Sequence, residues 1–527
     1  MDKVWTVKIA GPAGTGIKSA GLLLAQILSE SGYYLKDYSE YPSLIRGGHN
    51  TYQISFSTSE VYCTHRMVDI FVSLIPGHWQ EHQREFKKET LVFTDNDGKI
   101  NLPLGEMCGQ LGSTIYSNTI SLGLINYLLD IDKEKAKKII ANHFGEDSVN
   151  LNAFGAGYLW GENNCQKLSV DKGKNKERKI IIDGNEAAGW GLYKAGLQMF
   201  VAYPMTPATG LLHFLAKNQD EFKMKVVHPE DEIAVASIAS GAAMAGSRTA
   251  VGTSGGGFAL MTETISLDAM AGLGVVYFLS QRPGPATGMP TWTSQGDLLF
   301  AVHSGHGEFP KVVLAPGDHE EAFELGKLAL NLANKFDIPV IMLSDKNLSE
   351  SSANTRDFNL EKPEIIVSNK VIPGKGQEIK LYNSYEHNDE GFSIESAEES
   401  RKMVELRLNK IENILKEMPK VNLFGSSKAK KIIVSWGSTK GAILEALKEM
   451  ENKEDFAFLQ IKGMWPIDPK IGQIVNAFKE KILVENNATA QLETLLKSQM
   501  TIEFTKRILK YDGRPFFPEE LKEALND

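Results

Sequence analysis

The chain has 527 residues, of which 42% are hydrophobic and 23% charged, and its net charge is −9 at pH 7. This length is too great for a single hydrophobic core, and the composition is that of a globular protein, so several folded domains are expected. The acidic balance without a Lys/Arg block excludes nucleic acid as a main partner, and no signal peptide or membrane-spanning run is recognised, so a cytoplasmic protein is expected.

The cysteine content limits the redox chemistry that the chain can support alone. Its three cysteines, Cys63, Cys108 and Cys165, are far apart in the sequence. An odd number excludes a disulfide framework, and three thiolates are too few for a [4Fe–4S] cluster or a four-thiolate zinc site. His303 and His306 have no third ligand at a recognised spacing, so no metal site is predicted.

The first unit opens as a strand, a glycine turn and a helix. Residues 3–10 partly alternate, Gly11–Gly16 forms the turn, and Ile17–Ser31 has a helical pattern. This order is typical of an α/β domain. Further strands are predicted at Asn50–Ser57, Ile70–Ser73 and Leu91–Thr94. The polar stretch 162–178 predicts an exposed linker, so the first domain is assigned to residues 1–170.

A second α/β unit is assigned to residues 178–352, and a third to residues 428–527. In the second, predicted strands alternate with helices such as Leu325–Lys335, which favours a mainly parallel sheet covered on both faces. Its predicted strands are Ile180–Ile182, Gln198–Tyr203, Thr249–Thr253, Val275–Ser280, Lys311–Leu314 and Pro339–Ser344. Residues 353–427 lose this rhythm and are predicted to be a long connection ending in a helix at Glu398–Glu417. The third unit has predicted strands at Lys431–Val434 and Ile482–Glu485.

Two groups of residues in the first unit are candidate ligand or interface positions. Gly14 and Gly16 lie in the glycine turn, but its spacing is not the strict dinucleotide pattern and no acid follows at the expected position. Arg46 and His49 flank a glycine pair and could meet a phosphate. A bulge with satisfied polar side chains explains the second group equally well.

Three segments of the second unit each follow a predicted strand, where α/β sheets bind ligands. Tyr203-Pro204-Met-Thr206-Pro207 holds one hydroxyl between two prolines. Ser254-Gly255-Gly256-Gly257 exposes backbone N–H groups. Arg282 ends an apolar strand and could pair with a carboxylate in bidentate fashion. Taken alone, the first segment is better explained as a rigid turn whose threonine caps a helix, and a tight strand-to-helix turn is the alternative for the second. Arg282 favours the functional interpretation.

An acidic triplet opens a helix of small residues. Glu230, Asp231 and Glu232 precede residues 233–246, of which ten of fourteen are Ala, Ser or Gly. A carboxylate in the first turn is favoured by the helix dipole, which alone would explain the acids. Successive helical residues point about 100° apart, so the three acids cannot all face one site.

Together these segments resemble the 2-oxoacid:ferredoxin oxidoreductases, specifically the α subunit with its γ domain fused at the N-terminus. The motifs that carry the resemblance match in order over nearly the whole chain. They are Gly11–Gly16, 45–50, Tyr203–Pro207, His228–Glu232, Thr253–Gly257, Gln281–Thr291, Gln295–Asp297, Glu386–Gly391 and Glu485–Gln491. The resemblance implies three α/β domains: a γ domain, a pyrimidine-binding domain like that of thiamine enzymes, and a domain like the C-terminal domain of transketolase.

The resemblance also implies thiamine diphosphate chemistry shared with a β chain that carries Mg²⁺ and a [4Fe–4S] cluster. A 2-oxoacid and CoA would give acyl-CoA and CO₂, with ferredoxin or flavodoxin as acceptor and an (αβ)₂ assembly. Glu232 matches the family's catalytic acid, with Glu230 as the second choice, and Thr206 and Arg282 match the residues that hold the substrate carboxylate. Tyr203, Pro204, Glu232, Ser254, Gly255 and Gly256 are the implied cofactor contacts, and Gly14, Gly16, Arg46 and His49 are candidate CoA or interface residues.

Two departures from the family pattern bear on the substrate. Trp292 stands where the family often has Arg, and Ser294 stands where it often has Glu. A dicarboxylate substrate is therefore in doubt, and a branched-chain or aryl 2-oxoacid such as indolepyruvate becomes the alternative on the same scaffold. A non-catalytic assembly or CoA-binding subunit and a dinucleotide-dependent dehydrogenase are the alternatives from other classes.

Overall fold

The computed structural model describes residues 2–43, 47–97, 99–358, 364–366 and 381–527. Arg46, one of the predicted ligand-binding residues, lies outside these ranges. Within the described residues, none of the helices combines the length and apolar character needed to cross a bilayer.

The N-terminal part opens with a strand and a helix, and strands lie at the three further predicted positions. Its elements are β1 (Trp5–Ala13), α1 (Ile17–Glu30), β2 (Tyr34–Glu40), β3 (Gly47–Ser57), β4 (Val68–Ser73), a 3₁₀ helix (His78–Glu85), β5 (Phe86–Thr94), β6 (Ile100–Asn101), α2 (Leu104–Leu111), a second 3₁₀ turn (Thr114–Tyr116), α3 (Ser117–Leu128), α4 (Lys133–Phe144) and α5 (Val149–Asn164).

The middle part follows the polar stretch after α5. Its elements are β7 (Ile180–Asp183), α6 (Gly184–Lys194), β8 (Met199–Ala202), α7 (Thr209–Asn218), β9 (Lys225–Val227), α8 (Glu232–Met244), β10 (Thr249–Thr253), α9 (Gly255–Ala271), β11 (Val275–Gln281), α10 (Leu298–His303), β12 (Val312–Leu314), α11 (His319–Phe336), β13 (Val340–Asp345), α12 (Lys346–Glu350) and β14 (Ser352–Thr355).

The C-terminal part begins with helices. Its elements are α13 (Ala397–Leu408), α14 (Lys410–Glu417), β15 (Asn422–Gly425), β16 (Lys431–Trp436), α15 (Thr439–Glu449), a 3₁₀ turn (Lys453–Asp455), β17 (Phe456–Ile461), β18 (Gly463–Trp465), α16 (Lys470–Asn476), β19 (Glu480–Glu485), α17 (Gln491–Gln499), β20 (Lys506–Leu509) and α18 (Pro518–Asn526). The predicted single helix at Glu398–Glu417 is therefore wrong in one respect, because Asn409 separates two helices.

Three sheets organise these elements and confirm the predicted α/β class. Their strand orders are β6-β5-β4-β1-β3-β2-β14-β7, β18-β12-β13-β11-β10-β8-β9 and β15-β17-β16-β19-β20. The second sheet is parallel except for β18, which pairs antiparallel with β12. Two short strands on either side of the middle part, β7 and β14, join the first sheet, so the N-terminal and middle parts share a sheet.

The inner strands β11 and β13 of the second sheet are buried on both faces, which explains why they are largely apolar. In β11, Val275, Tyr277 and Leu279 pack into an apolar cluster that extends to Trp436 and other residues of the C-terminal part. Val276 and Phe278 point to the opposite face and pack under α6 and α11. The carboxyl ends of the parallel strands β9, β8, β10 and β11 meet at one edge of this sheet.

Candidate active site

All four predicted segments of the middle part lie at this edge, because each one follows a neighbouring strand of the second sheet. Tyr203 and Pro204 follow β8, Ser254 follows β10, and Arg282 follows β11. Glu232 begins α8, which comes after β9. The order β11-β10-β8-β9 makes the four strands adjacent. The predicted residues thus come together although they are spread over about eighty positions of the sequence.

The three acids Glu230, Asp231 and Glu232 lie in three different environments. Asp231 caps α8, since its side chain accepts a hydrogen bond from the backbone N–H of Ala234 at 2.8 Å. Glu230 is exposed to solvent. Glu232 is 5% exposed and points into the protein. Of the three acids, Glu232 is therefore the one that faces the edge of the sheet.

The carboxylate of Glu232 lies against the glycine run at the start of α9. A Cβ atom placed on Gly257 would lie 2.6 Å from Oε1 of Glu232 and would also collide with the hydroxyl of Thr253. Only a residue without a side chain fits between them. Oε1 of Glu232 and Oγ of Ser254 are both buried and have no hydrogen-bond partner among the described residues. Two unsatisfied polar atoms at one strand end are costly unless a ligand meets them.

The two predicted carboxylate-binding residues contact each other through the backbone of one of them. Nη1 of Arg282 donates a hydrogen bond to the carbonyl oxygen of Thr206 at 2.7 Å. This bond holds the guanidinium beside the Tyr203–Pro207 turn and leaves its other N–H groups for a ligand. Desolvation lowers the pKa of Arg282, and the nearby carboxylate of Asp297 offsets only part of this shift. Arg282 remains a cation, since guanidinium groups stay protonated in proteins.

Asp297 is a site residue to which the sequence assigned no role. Its carboxylate lies beside Gly255, where a Cβ atom would come within 2.8 Å of Oδ2. Its backbone N–H donates to Oε1 of the buried Gln281 at 2.9 Å, which fixes the loop. Burial raises the pKa of Asp297 to about 6, and Arg282 opposes the shift. The only sequence signal for Asp297 was its place in the Gln295–Asp297 motif.

The remaining predicted contacts are placed at the same edge or near it. Tyr203 is 38% exposed, and its ring meets that of His228 edge-on with centroids 5.8 Å apart. Pro204 and Gly256 are also exposed, and a Cβ atom on Gly256 would meet nothing within 4 Å. These residues form the open rim of the site, whereas Glu232 and Ser254 form its floor.

Gly14, Gly16 and His49 form a separate group in the N-terminal part. The strand pairing of Pro12 with His49 brings the glycine turn beside the start of β3. Gly14 and Gly16 have φ values of 91° and 74°, the left-handed conformation that favours glycine. No atom lies within 4 Å of a Cβ on Gly14, whereas Asn118 fills that space at Gly16.

Comparison with known proteins gives one consistent answer. Residues 190–411 match the family model "Pyruvate flavodoxin/ferredoxin oxidoreductase, thiamine diP-bdg", and residues 6–160 match "Pyruvate ferredoxin/flavodoxin oxidoreductase". The 2-oxoacid:ferredoxin oxidoreductase subunit alpha of Saccharolobus solfataricus is 31% identical, with 98% of this chain and 96% of that protein covered. The 2-oxoglutarate oxidoreductase subunit KorA of Mycobacterium tuberculosis is 24% identical over 98% of this chain and 90% of its own length.

A solved structure extends the likeness to the whole fold. The 2-oxoglutarate:ferredoxin oxidoreductase of Magnetococcus marinus, determined with 2-oxoglutarate, coenzyme A and succinyl-CoA bound, has a TM-score of 0.94 at 27% identity. The superposition covers 100% of this chain and 99% of that one. The chain therefore belongs to the family of 2-oxoacid:ferredoxin oxidoreductase α subunits, and the edge of its second sheet lies in its thiamine diphosphate-binding domain.

Proposed function

We propose that this chain supplies the aminopyrimidine half of a thiamine diphosphate site for oxidative decarboxylation of a 2-oxoacid. CoA would accept the acyl group and ferredoxin or flavodoxin the electrons, and the reaction could also run in the CO₂-fixing direction. One observation carries the proposal: the carboxylate of Glu232 is buried at the carboxyl edge of a parallel sheet, and its Oε1 has no partner among the described residues.

The residues of the edge fit the group that they would hold. When bound, thiamine diphosphate supplies carbanion chemistry at the substrate carbonyl. Glu232 would hydrogen-bond a nitrogen of the aminopyrimidine and hold a proton there, which is general acid–base work by a buried acid. Ser254 offers a second unsatisfied oxygen, Tyr203 and Pro204 form the rim, and Gly256 leaves space for close approach. Gly255, also a proposed cofactor contact, lies against the carboxylate of Asp297.

Arg282 and Thr206 would hold the substrate carboxylate. The Arg282 guanidinium is already fixed by the carbonyl oxygen of Thr206, so little side-chain entropy is lost when the carboxylate binds. Replacing Arg282 with Gln should weaken binding of the 2-oxoacid by about 1.5–3 kcal/mol, the usual value of a hydrogen bond to a charged group. The expected result is a higher KM in steady-state kinetics.

The chain would work with a β chain. Its three cysteines are unpaired, and they are too few to ligate a [4Fe–4S] cluster. We therefore assign the cluster and the Mg²⁺ of the diphosphate to a β chain in an (αβ)₂ assembly. Gly14, Gly16, Arg46 and His49 are the proposed contacts to CoA or to that partner. Turnover of a 2-oxoacid with ferredoxin by this chain alone would disprove the assignment of the cluster and Mg²⁺ to a β chain.

Substitutions at two neighbouring acids test the proposed catalytic role of Glu232. Glu232→Gln in the purified complex should abolish decarboxylation nearly completely, because the amide cannot exchange the proton. Glu230→Gln is the control, since Glu230 is the exposed neighbour in the same turn, and it should retain wild-type activity. Assembly of the complex is measured in parallel by size-exclusion chromatography. Full activity of Glu232→Gln in an intact complex would indicate a non-catalytic assembly or CoA-binding subunit instead.

The lining of one cavity favours a 2-oxoacid with an uncharged side chain over a dicarboxylate. A cavity of about 480 Å³ is lined by Pro283, Ser294, Asp297 and Tyr511, and the described residues around it include no Lys or Arg. Trp292, at the position where the family often has Arg, stacks instead against the guanidinium of Arg514, 3.8 Å from the ring centroid. A second substrate carboxylate in this cavity would therefore meet no Lys or Arg among the described lining residues.

The substrate preference can be measured directly. The ratio of kcat/KM for a branched-chain or aryl 2-oxoacid to that for 2-oxoglutarate should exceed one in the wild-type complex, and Trp292→Arg should lower the ratio. A higher kcat/KM for 2-oxoglutarate in the wild type would reverse this assignment without affecting the role of Glu232.

A further inference from the structure

Three histidines form a cluster in the N-terminal part, away from the proposed thiamine site. His49 of β3 contacts two other imidazoles, one with each of its ring nitrogens. Nδ1 of His49 lies 2.5 Å from Nδ1 of His78, and Nε2 of His49 lies 2.6 Å from Nε2 of His82. Three imidazoles that converge in this way need either a fixed proton arrangement or a cation between them.

The 3₁₀ helix at His78–Glu85 explains why the cluster forms. Side chains three residues apart eclipse each other in a 3₁₀ helix, so His78 lies in one row with Glu81 and His82 in the next row with Glu85. His49 enters between the two rows. His78 and Glu81 of the first row lie near Nδ1 of His49, and His82 of the second row contacts Nε2 of His49.

The second row fixes the tautomer of His49. Nζ of Lys8 lies 2.6 Å from Oε2 of Glu85, an ion pair that keeps this carboxylate charged and therefore a hydrogen-bond acceptor only. Nδ1 of His82 must then donate to Oε1 of Glu85, at 3.1 Å. In neutral His82 this leaves Nε2 as an acceptor, so His49 donates from its own Nε2.

The consequence is an unprotonated Nδ1 on His49, directed at His78. Such an arrangement is the usual support of a metal-bound histidine, in which one ring nitrogen is free for the ion and the other donates to an anchored acceptor. Ligand atoms of His49, His78 and Glu81 all lie within 4.8 Å of one another. Zinc–nitrogen and zinc–carboxylate bonds are about 2.0–2.2 Å long, so small side-chain rotations would bring all three onto one ion.

We infer that His49, His78 and Glu81 bind a divalent first-row transition metal, with Zn²⁺ as the best match to two imidazoles and one carboxylate. His82, Glu85 and Lys8 are positioning residues for this site. His49 and Glu81 also line a cavity of about 490 Å³ between the N-terminal part, Trp292 and residues 510–520, so a fourth coordination position would be open to water or a ligand. The site shares no residue with the proposed thiamine site.

Zinc binding by the full-length chain tests the inference without any measure of turnover. The chain is dialysed with Zn²⁺, its zinc content is measured by mass spectrometry, and its affinity is measured by competition with a chromogenic chelator. The wild type should retain about one zinc per chain. His82→Ala should keep the ligands and lose about 10- to 100-fold in affinity, the usual effect of removing the group behind a metal-bound histidine. Glu85→Gln, which acts on His49 only through His82, should weaken zinc binding in the same direction. Co²⁺ in place of Zn²⁺ should give visible absorption that reports nitrogen ligation.

The variants separate the metal site from adventitious binding. His49→Ala, His78→Ala and Glu81→Gln should each lose the bound zinc, and Glu81 is exposed, so its replacement disturbs folding least. His143→Ala is the control, because His143 is an exposed histidine of the same part of the chain. If wild-type protein retains no zinc, or if Glu81→Gln and His78→Ala retain as much as the control, the cluster is a hydrogen-bonded histidine chain and the inference is wrong.

Discussion

Glu232 and Gly257 are in contact across the start of two helices, so that a Cβ atom on Gly257 would lie 2.6 Å from Oε1 of Glu232. The acid comes from the first residue of α8 and the glycine from the first turn of α9. The carboxylate occupies the space that a side chain at position 257 would fill, so it can lie there only because this residue is glycine. The position of the proposed catalytic acid therefore depends on a residue that itself has no functional group.

Gly257→Ala should displace the Glu232 carboxylate and lower activity by at least about tenfold, because misplacement of a catalytic group by about 1 Å is costly. Gly256→Ala is the matched control, since the added methyl group at that position meets nothing within 4 Å. Steady-state kinetics and thiamine diphosphate titration of the two variants check the expectation. Equal activity in both would show that the contact between Gly257 and Glu232 does not position the acid.

Asp297 should make substrate binding depend on pH. Burial raises the pKa of its carboxyl to about 6, so the group is neutral below that pH and ionised above it. Once ionised, it competes with the substrate carboxylate for Arg282. KM for the 2-oxoacid should therefore rise, by roughly fivefold or more, as the pH increases from 5 to 7.5.

Asp297→Asn should abolish this rise, because the amide cannot ionise. Asp512→Asn is the control, since Asp512 is an exposed acid of the C-terminal part. The measurement is KM across the pH range with kcat followed separately. A rise in KM that persists in Asp297→Asn would assign the titration to another group.

The sequence predicted the architecture well where the physical signal is local. The continuously apolar strand β11 and its polar exit at Arg282 could be recognised because a parallel strand is buried on both faces. The resemblance to the family pointed to Glu232 among the three acids. The argument from helical geometry does not apply to them, because α8 begins at Glu232 and Asp231 is its extended N-cap. The α/β class, and the family to which the chain belongs, were predicted from such segments taken in order.

Contacts between distant segments could not be predicted in this way. The pattern of Ile180–Asp183 indicates a strand, but only the fold shows that it pairs with β14 and joins the first sheet. The role of Asp297 depends on its contact with Gly255, about forty residues earlier in the chain. His78 and His82 have no α-helical or strand periodicity to mark them, because their alignment with His49 arises from a 3₁₀ helix.

Gln295 should be essential for the docking of the C-terminal part on the middle part. Its Oε1 accepts from the backbone N–H of Asn486 at 2.9 Å, and its Nε2 donates to the carbonyl of Trp436 at 2.8 Å. The side chain is 0% exposed. Gln295→Ala would leave the buried N–H of Asn486 without an acceptor, at a cost of about 1–3 kcal/mol. The carbonyl of Trp436 would keep its hydrogen bond from the hydroxyl of Thr439. A lower thermal midpoint and faster proteolysis between the two parts are expected, with the exposed Gln499→Ala as control.

Glu485 should make the chain less stable as the pH rises towards neutrality. It is completely buried at the end of β19, and desolvation raises the pKa of its carboxyl to about 7, despite hydrogen bonds from Trp436, Leu492 and Asn487. In the unfolded chain the same group titrates near 4.5. The native state therefore binds the proton more tightly, and its contribution to stability is fully present below pH 4.5 and lost as the pH rises through about 7.

The size of the effect follows from the difference between the two pKa values, which corresponds to a loss of stability on the order of 3 kcal/mol across this range. Glu485→Gln should remove this part of the pH dependence, because the amide remains neutral at every pH. Unfolding of both proteins in denaturant at several pH values from 4.5 to 8 gives the comparison. Parallel pH curves for wild type and variant would show that Glu485 is ionised in the native protein throughout, held in that state by its three hydrogen-bond donors.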